Sequence, residues 1–449
     1  MKKMLIVLLI LICGVGATAQ AQLGWWDHHT TTGTPPTPRK GHTMVLVPSV
    51  DSIFVFGGQD QTGLLNDLYA LQATGWTPVW AQLLPRGTPP SQRAGHSMIL
   101  VPSRNRILVF GGFTPSGRCL NDVWALDSLS IGGHWTQLTP SGTPPSRRAE
   151  HCAIYDSLFD RMIVYAGRDS ASNPLGDLWA LDSVSTGNGR WRQMSPSGTP
   201  PSTRFDHTAA YDGFYGNNSM TVFGGRNSSG ALADLYSLNL ATTQGAWSVL
   251  NPGGQAPSAR YGHAATYSYY FSGAMFLFGG QSDSTHFFSD TYSLRGQWYR
   301  EPTGNSPAPR SQMPVIQGSR WYFWSILEIV GGDLGDSLAN DLWSYHSSNA
   351  VEDRTDSNTR EGNPRFSIFP NPMRGTCAII APARETQRIS VYDLSGRLVR
   401  TLNPKASRGG VRIYWDGRDA QGKAVPEGVY FIRTVGDARP AIGKVVVLR

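Results

Sequence analysis

The sequence of 449 residues contains only four cysteines, and this scarcity excludes several kinds of site. None of them forms a Cys-x-x-Cys pair, so zinc ribbons and thioredoxin-like redox sites are disfavoured. Gly-x-Ser-x-Gly, His-Glu-x-x-His and the full Gly-x-x-x-x-Gly-Lys-Ser/Thr motif are absent as well, which disfavours the hydrolases, metalloproteases and nucleotide-binding loops that carry them. Beyond residue 21, no apolar run reaches the roughly 20 residues that a membrane-spanning helix needs.

The sequence also lacks a broadly basic region outside its tail, although its formal net charge is +7. From residue 351 onward there are 17 Lys and Arg against 10 Asp and Glu, whereas residues 1–350 have 22 of each sign. Nucleic-acid binding needs a clustered positive face. The charge distribution therefore predicts no nucleic-acid partner.

The first residues have the pattern of a secretory signal. Lys2 and Lys3 precede a short apolar run, and small residues follow it up to Ala21. Cys13 follows Ile12 rather than a small residue, which argues against a lipoprotein. We predict that residues 1–21 are a cleaved signal peptide and that the mature chain is exported, with no transmembrane segment.

The sequence is rich in one pattern, which occurs six times. A complete copy has Arg-x-x-His, an apolar run, a Gly-Gly doublet, an aspartate, an aromatic residue and a distal tryptophan, and the third copy has Ala-Gly as its doublet. Successive doublets are 54, 55, 58, 55 and 52 residues apart, and self-similarity at such a period is typical of a solenoid or a propeller. The doublets begin at Gly57, Gly111, Ala166, Gly224, Gly279 and Gly331.

Within one copy, the apolar segments have the length of strands. In the second copy HSMILV, RILVF, DVWAL and HWTQL are separated by PSRN, GGFTPSGRCLN and DSLSIGG, which favour turns. One four-stranded antiparallel sheet cannot bury both of its faces, whereas six of them arranged around an axis can. We therefore predict an all-β fold with a six-bladed propeller over residues 23–346.

The strand that ends in Gly-Gly, the Asp-Leu-Trp that follows and the distal tryptophan resemble the kelch repeat, which runs at about 50 residues per blade. The sixth copy departs from the pattern, because Met313 replaces the histidine and no tryptophan follows Trp343. The missing segment lies at the other end of the chain, since residues 26–39 align without a gap with residues 135–148. The outer strand of the last blade is therefore predicted to come from the start of the chain, which leaves no open edge.

The chain changes character after the sixth copy. Residues 347–364 are polar and aperiodic and are predicted to form a linker. Seven short strand-like segments follow and indicate an Ig-like β-sandwich over residues 365–449. FPNPM, VYDLSGRLVRTL, WDGRDAQGKAVPEGVYFIR and GKVVVLR resemble the FlgD-like Ig domain that serves as the C-terminal sorting domain of type IX secretion. This resemblance implies outer-membrane secretion machinery as a partner and places the protein at the surface of, or released from, a Gram-negative-type bacterium.

The residues that recur in every copy are predicted to be structural. Equivalent histidines of adjacent blades lie on the order of 10 Å apart, too far to share an ion whose ligands lie about 2 Å away, so no metal site is predicted. The arginines and aspartates begin strands on one face, and structural pairing between them is favoured over an arginine ring that binds an anionic partner. The recurring residues are His42, His96, His151, His207 and His263; Arg39, Arg93, Arg148, Arg204, Arg260 and Arg310; Asp67, Asp122, Asp177, Asp234, Asp290 and Asp341; and Trp26, Trp80, Trp135, Trp191, Trp247 and Trp298.

A binding site is expected where the copies differ, because variable polar residues on loops of a rigid scaffold usually carry recognition. The position after Gly-Gly differs from blade to blade, and further polar residues lie in the loops beside it. The predicted binding residues are Gln59, Asp60, Phe113, Arg168, Asp169, Arg226, Gln281, His286 and Asp333. Cys119 and Cys152 lie toward the same face in neighbouring blades, and a disulfide between them is a hypothesis that export permits.

The opposite face has aromatic turns in three consecutive blades. Such a patch would bind sugar rings by stacking, or would pack against neighbouring turns or the C-terminal domain, since exposed aromatic patches usually mark a contact. Its residues are Tyr215, Tyr269, Tyr270, Trp321, Tyr322 and Trp324.

Two functions remain open at this point. The leading hypothesis is a secreted, non-catalytic module that binds a protein or a glycan through one face of the propeller. The alternative is a carbohydrate-active enzyme with its site at the axis, since propellers that resemble kelch proteins include copper-dependent sugar oxidases and a sialic acid epimerase. The tyrosine-cysteine cofactor of the oxidases cannot be placed here, and no cofactor is predicted. A buried axial pocket lined by Arg168, Arg226, Asp333 and a carboxylate would favour the enzyme, and a flat, filled channel would favour the binding module.

Overall fold

The structure is a computed structural model in which the chain divides into two compact units, residues 1–354 and 355–449. It describes residues 24–72, 77–129, 132–213, 218–268, 274–317, 326–347, 367–369, 373–374, 377–381, 388–393, 397–402, 411–435 and 442–448. These residues form strands, turns and two short 3-10 turns, Pro48–Val50 and Pro102–Arg104. No helix in this part of the chain is long and apolar enough to span a membrane. The predicted all-β fold is confirmed.

The strands of the first unit are short, as the sequence pattern predicts. In chain order they are β1 (Gly24–His29), β2 (Thr32–Gly33), β3 (Thr43–Val47), β4 (Ser52–Asp60), β5 (Gly63–Gln72), β6 (Val79–Leu83), β7 (Ser97–Val101), β8 (Arg106–Phe110), β9 (Val123–Asp127), β10 (His134–Leu138), β11 (Cys152–Asp156), β12 (Arg161–Arg168), β13 (Pro174–Asp182), β14 (Arg190–Met194), β15 (Ser197–Gly198), β16 (Thr208–Asp212), β17 (Ser219–Phe223), β18 (Arg226–Asn227), β19 (Gly230–Ala231), β20 (Leu235–Asn239), β21 (Ala246–Leu250), β22 (Ala264–Ser268), β23 (Ala274–Phe278), β24 (Thr291–Leu294), β25 (Trp298–Glu301), β26 (Thr303–Gly304), β27 (Val315–Gln317), β28 (Leu327–Asp333) and β29 (Leu338–Ser347).

Described strands of this unit form six four-stranded antiparallel sheets, consistent with the six predicted blades. Blades 1 to 5 are β3–β6, β7–β10, β11–β14, β16–β17–β20–β21 and β22–β25. Blade 6 is β27–β28–β29 with β1 as its outer strand. The pairing of β1 with β29 is antiparallel from Gly24 opposite Ser347 to His29 opposite Leu342. The predicted closure of the last blade by the start of the chain is therefore confirmed.

Short segments between blades connect neighbouring outer strands. β2, which follows β1, pairs in parallel with β6, and Gly33 lies opposite Trp80. β15 pairs with β21 and β26 with β1 in the same way. These segments belong to the Gly-Thr-Pro-Pro-like turns of the repeat, so each of these turns contributes hydrogen bonds to the next blade.

In blades 1, 3 and 6 the doublet forms a β-bulge near the end of the second strand. In β4 the register with β5 shifts between Phe56 and Gly58. Gly57 and Gly58 have φ values of 62° and 95°, a region that favours glycine. A Cβ on Gly58 would also lie 2.7 Å from the Cβ of His42. The bulge thus lets the chain approach the histidine closely and places Gln59 in a β-bridge with Lys40.

The core of the propeller consists of apolar clusters between neighbouring blades. Trp135 of blade 2 packs on Phe56 of blade 1, with ring centroids 5.2 Å apart, and Trp26 of blade 6 packs on Phe278 of blade 5 at 4.5 Å. A further cluster joins Ile53 of blade 1 to Val330 and other residues of blade 6. Fully burying a large apolar side chain contributes roughly 1.5–3 kcal/mol. The recurring tryptophans are therefore core residues, as predicted.

The second unit is a β-sandwich. Its strands are β30 (Ser367–Phe369), β31 (Met373–Arg374), β32 (Cys377–Ala381), β33 (Arg388–Tyr392), β34 (Leu398–Leu402), β35 (Val411–Trp415), β36 (Gly428–Val435) and β37 (Ile442–Leu448). A three-stranded sheet, β30–β32–β35, and a five-stranded sheet, β31–β37–β36–β33–β34, share one core. Trp415 and Tyr430 meet edge to face in this core, with ring centroids 5.4 Å apart. All seven strand-like segments that the sequence indicated are strands.

Candidate functional site: the axial pocket

Six backbone hydrogen bonds form a closed cycle, with one residue from each blade. The residue before the recurring histidine donates its N–H to the carbonyl oxygen of the equivalent residue in the preceding blade, at distances of 2.7 to 3.0 Å. The cycle runs Gly41 to Gln312, Gln312 to Gly262, Gly262 to Asp206, Asp206 to Glu150, Glu150 to Gly95 and Gly95 to Gly41. Blade 1 is thereby bonded to both blade 2 and blade 6. We call these six residues the axial ring.

The axial ring has a backbone conformation that favours glycine. Its φ values lie between 52° and 63°. Blades 1, 2 and 5 use glycine there, whereas blades 3, 4 and 6 have Glu150, Asp206 and Gln312. A non-glycine residue in this region costs roughly 1–3 kcal/mol, and such strain is concentrated at functional sites. At three of the six positions a polar residue therefore occupies the axis although the backbone conformation there favours glycine.

A pocket of about 200 Å³ opens over the axial ring. Its lining includes all of the axial ring, together with Lys40, Gln59 and Phe113. The recurring histidines line it as well. Because three ring positions lack a side chain, the polar groups of Glu150 and Asp206 lie on one side and the glycines leave space beside them. This axial pocket is the candidate site.

Two arginines that follow the doublets of blades 3 and 4 hold the two acids of the axial pocket. Arg168 donates from Nε and Nη2 to the two carboxylate oxygens of Glu150, at 2.6 and 2.9 Å. Arg226 uses only one oxygen of Asp206, since its Nε and Nη2 lie 2.9 and 2.8 Å from Oδ2. No described residue donates a hydrogen bond to Oδ1 of Asp206. The side chain is 7% exposed and belongs to the lining of the pocket, where Oδ1 can accept a hydrogen bond from a ligand.

Aromatic rings support the same arginines. The guanidinium carbon of Arg226 lies 4.6 Å from the ring centroid of Phe205 and 4.4 Å from that of Tyr261. Arg168 lies over Phe113 at 5.2 Å. A cation over an aromatic face gains about 0.5–2 kcal/mol. These contacts fix the arginines, and through them the carboxylates, in one arrangement.

The environment of Asp206 changes its protonation. Burial, and then the negative charge of nearby Glu150, raise its pKa to about 7, while Arg226 acts in the opposite direction. Hydrogen bonding to Glu150 raises the pKa of Arg168, which therefore stays charged. Asp206 therefore binds a proton more readily than an exposed aspartate does.

A third ion pair lies on the other side of the axis. Lys40 of blade 1 donates to Asp333 of blade 6 at 2.7 Å. Asp333 also accepts a hydrogen bond from the backbone N–H of Gly335. Around the axial pocket, three cationic side chains are therefore paired with three carboxylates.

Most of the residues predicted after Gly-Gly lie at or beside the axial pocket. Gln59 and Phe113 line it, Arg168 and Arg226 hold its acids, and Asp333 binds Lys40. Gln281 instead joins blades 5 and 6, because it contacts Tyr261 and Ser311 through its side-chain amide. Of the six residues after Gly-Gly, two line the axial pocket, and the others hold lining residues or neighbouring blades in place.

Three predicted loop residues bond within their own loops. Asp60 accepts hydrogen bonds from Thr62 and Gly63, and Asp169 from the backbone of Ala171 and Asn173. His286 is exposed and pairs with Asp283 at 2.8 Å. None of the three lines the axial pocket.

Four lining residues were not predicted, namely Lys40, Glu150, Asp206 and Gln312. The sequence does contain a signal for three of them. The residue before the recurring histidine is glycine at 41, 95 and 262, and a departure from glycine marks the other three blades.

The recurring arginines and aspartates form structural pairs, as predicted. Arg148 donates from Nη1 and Nη2 to the two oxygens of Asp177, both at 2.8 Å, and also to the carbonyl oxygen of Ala166. The six equivalent pairs have N–O distances of 2.5 to 2.8 Å, with nearly fully buried arginines. These guanidinium groups are occupied by their own blades, so the alternative of an arginine ring for an anionic partner is wrong.

The recurring histidines hydrogen-bond between blades, as predicted. Nε2 of His96 lies 2.7 Å from Oγ1 of Thr43, and Nε2 of His151 lies 2.9 Å from Oγ of Ser97. His263 and His207 contact Thr208 and Cys152 in the same way. His42 is the exception, because its buried ring has no side-chain partner among the described residues and lies beside the backbone of Val330 instead.

The hypothesis of a disulfide between Cys119 and Cys152 is wrong. Both cysteines are free. Sγ of Cys119 points to the carbonyl oxygen of Arg168 at 3.7 Å, whereas Sγ of Cys152 lies 3.0 Å from Nε2 of His207 in blade 4. Cys152 occupies the position of a hydroxyl residue in the inter-blade hydrogen bonds, so its thiol faces away from the loop that carries Cys119. Burial raises the pKa of Cys152 to about 12, which keeps it a thiol.

The predicted aromatic patch lies outside the described residues. This applies to Tyr215, Tyr269, Tyr270, Trp321, Tyr322 and Trp324. The predicted signal peptide and the linker from residue 348 onward also lie outside them.

Fold and repeat together define a β-propeller with kelch-type blades. The family model of the KLHDC2/KLHL20/DRC7 Kelch-repeats domain matches residues 19–131 and 129–246, which is just over half of the chain. The chain belongs to the kelch-repeat family. Residues 371–438 match the FlgD Ig-like domain.

Similar proteins share the propeller region. The chain is 33% identical over 227 residues to serine/threonine-protein phosphatase BSL2 of Arabidopsis thaliana, covering 49% of this chain and 21% of that protein. It is 29% identical over 252 residues to putative adagio-like protein 2 of Oryza sativa subsp. japonica, covering 53% of this chain and 38% of that protein. The chain thus spans about a fifth to two fifths of the length of these relatives. The solved structure of YjhT is similar with a TM-score of 0.53 and 16% identity, over 69% of this chain and 95% of that one, and it supports the fold alone.

Proposed function

We propose that the propeller is a recognition module that binds a protein or glycan ligand at the axial pocket. The observation that carries this proposal is the placement of Glu150, Asp206 and Gln312 at positive φ, where half of the blades use glycine. A purely structural ring would be less strained with glycine in every blade. Membership of the kelch-repeat family supports a protein-interaction or carbohydrate-related role.

A variant at the axial ring tests this location. Glu150→Gly removes one acid and relieves its positive φ, so it should fold. Asn105→Gly is the matched control, because Asn105 has φ 52° in the turn between β7 and β8, at the opposite ends of the strands. The full chain is screened against immobilised glycans and displayed peptides. We expect each ligand found to bind Glu150→Gly at least about tenfold more weakly and Asn105→Gly unchanged. Equal loss or equal retention in both variants would place the ligand elsewhere.

We further propose that the module acts outside the cytoplasm. Residues 1–21 are proposed as its signal peptide, and residues 365–449 as a type IX sorting domain that engages the outer-membrane secretion machinery. The match to the FlgD Ig-like domain supports the second assignment. Fractionation of cells that express the chain with and without residues 365–449 tests it. We expect the shortened chain to stay in the periplasm, and surface delivery without the domain would defeat the assignment.

A carbohydrate-active enzyme at the same pocket is the second candidate. The observation that favours it is the position of Asp206 beside Glu150 in the axial pocket, where burial and the charge of Glu150 raise the pKa of Asp206. A carboxyl group whose pKa is raised can serve as a general acid or base, as epimerisation requires. Deuterium uptake into a bound sugar from heavy water, followed by NMR, tests this activity. Uptake that Asp206→Asn abolishes would favour the enzyme, and its absence in the wild-type protein would favour binding alone.

A further inference from the structure

The axial pocket presents a fixed pattern of hydrogen-bonding groups. Asp206 contributes an acceptor, because Arg226 occupies only Oδ2. Arg168 and Arg226 hold the two acids in place without belonging to the lining themselves. Gln312 and Gln59 add amide groups that both donate and accept. A group that binds here must therefore donate to a carboxylate and accept from an amide N–H.

The charges around the axial pocket exclude a strongly charged ligand. Arg168, Arg226 and Lys40 are each paired with a carboxylate, those of Glu150, Asp206 and Asp333. A buried ionic group is costly unless an opposite charge compensates it. Because each charge already has its partner, a neutral polar ligand fits better than an ammonium or a carboxylate.

The size of the pocket limits how much of a ligand enters. Ligand pockets for whole small molecules measure roughly 300–1,000 Å³, and this one measures about 200 Å³. The space beside Gly41, Gly95 and Gly262 therefore takes one ring-sized group, and the rest of the ligand must lie outside the mouth. Phe113, whose ring lies close to Gly95, adds an apolar surface to the wall.

We propose that the axial pocket binds a single neutral sugar ring of a glycan through two adjacent hydroxyl groups. One hydroxyl donates to Oδ1 of Asp206. The second bonds to the amides of the wall, and the C–H face of the ring packs on Phe113. A hydroxyl is the neutral group that donates and accepts at once. This inference rests on the proposed recognition function and names its ligand class.

Binding by the full chain to a defined panel tests the inference. The panel contains neutral methyl glycosides and oligosaccharides of glucose, galactose, mannose and xylose, oligosaccharides of uronic acids, and a hexapeptide library. Affinity is measured by calorimetry, and contact by saturation-transfer NMR. We expect a neutral sugar to bind best, and its analogue that lacks one of the adjacent hydroxyls to bind at least about tenfold more weakly, since a site built for a hydroxyl rejects the deoxy compound.

Two substitutions at Asp206 assign the effect to the axial pocket. Asp206→Gly introduces the residue of blades 1, 2 and 5, so it should fold, and Asp206→Asn preserves the shape without the carboxylate. Each should weaken sugar binding at least about tenfold, whereas Asn105→Gly should not, with thermal melts confirming that all three fold. Stronger binding of uronic acids or peptides that still depends on Asp206 would overturn the sugar assignment but leave the recognition function. Binding that ignores both Asp206 and Glu150 would overturn both, and failure of every neutral sugar to bind would overturn the inference.

Discussion

Trp26, near the start of the chain, lies directly opposite Tyr345 in the antiparallel pairing of β1 with β29. Their ring centroids are 5.3 Å apart. Trp26 also donates from Nε1 to Oγ1 of Thr291 in blade 5, at 3.1 Å. One residue of the first strand thus contributes to the last blade and to the interface between blades 5 and 6.

Loss of this contact should open the propeller. Trp26→Ala should lower the free energy of unfolding by about 3–5 kcal/mol, as truncation of a buried tryptophan does. Trp25→Ala is the control on the same strand, because Trp25 is 41% exposed and stacks on His346 at one face only. Its expected cost is about 1 kcal/mol. Deletion of residues 23–38 should lower the melting temperature more than either, and an unchanged melting temperature would contradict the closure.

The Arg-Asp pairs predict a second large effect. Arg148→Met leaves Asp177 without its partner and should cost about 3–5 kcal/mol in urea unfolding. The control is Arg192→Met in the same blade, because Arg192 and Asp182 form a pair in which both side chains are 30% exposed. A half-exposed pair contributes about 0–1 kcal/mol. Similar losses in the two variants would show that burial does not decide the strength of these pairs.

Predictions from the sequence are confirmed where the type of a side chain implies its contact. They are wrong where the contact depends on the direction in which the side chain points. The order of strands, the displaced strand β1 and the pairing of Arg39 with Asp67 follow from spacing and residue type. The axial ring does not follow from spacing and residue type, because backbone hydrogen bonds form it. Its sign in the sequence is the glycine at positions 41, 95 and 262. Asp206 was missed for this reason. The disulfide prediction used the face on which each loop lies, but a thiol's direction depends on the strand register, which turns Cys152 toward His207.

His42 is expected to be a source of instability. In four blades the recurring histidine bonds to the residue after the histidine of the preceding blade, for example His96 to Thr43. For His42 that position is Pro314, which has no hydroxyl, so among the described residues its buried ring has no side-chain partner and has the backbone of Val330 beside it instead. A buried unsatisfied polar group costs about 1–3 kcal/mol. His42→Met, the residue that blade 6 has at 313, should therefore stabilise the protein by about 1 kcal/mol at pH 7.

The equivalent substitution in blade 3 should change the free energy of unfolding in the opposite direction. His151→Met removes the hydrogen bond between the His151 ring and the Ser97 hydroxyl. The buried hydroxyl then lacks this partner, so the substitution should lower the free energy of unfolding by about 1 kcal/mol. Both values come from urea unfolding at one pH. Destabilisation of similar size in the two variants would mean that His42 has a partner that compensates its burial.

The five recurring histidines also set the response of stability to acid. Burial lowers the pKa of His42 and His151 from 6.5 to about 3, and it lowers those of His96, His207 and His263 well below 6.5. As the pH falls below 6.5, the unfolded chain takes up protons that the folded chain does not. Each histidine therefore removes about 1.4 kcal/mol of stability per pH unit until its folded pKa is reached.

Asp206 opposes this loss but cannot balance it. Its pKa is raised from 3.8 to about 7, so between these values the folded state holds a proton that the unfolded state lacks, and stability rises as the pH falls. One such carboxyl stands against five histidines, so unfolding in urea at pH 7.5, 6.0 and 5.0 should show a net loss of stability toward acid. His42→Met should reduce the slope by about 1.4 kcal/mol per pH unit, and Asp206→Asn should steepen it by a similar amount. Identical slopes in these variants and the wild-type protein would mean that neither group changes its pKa on folding.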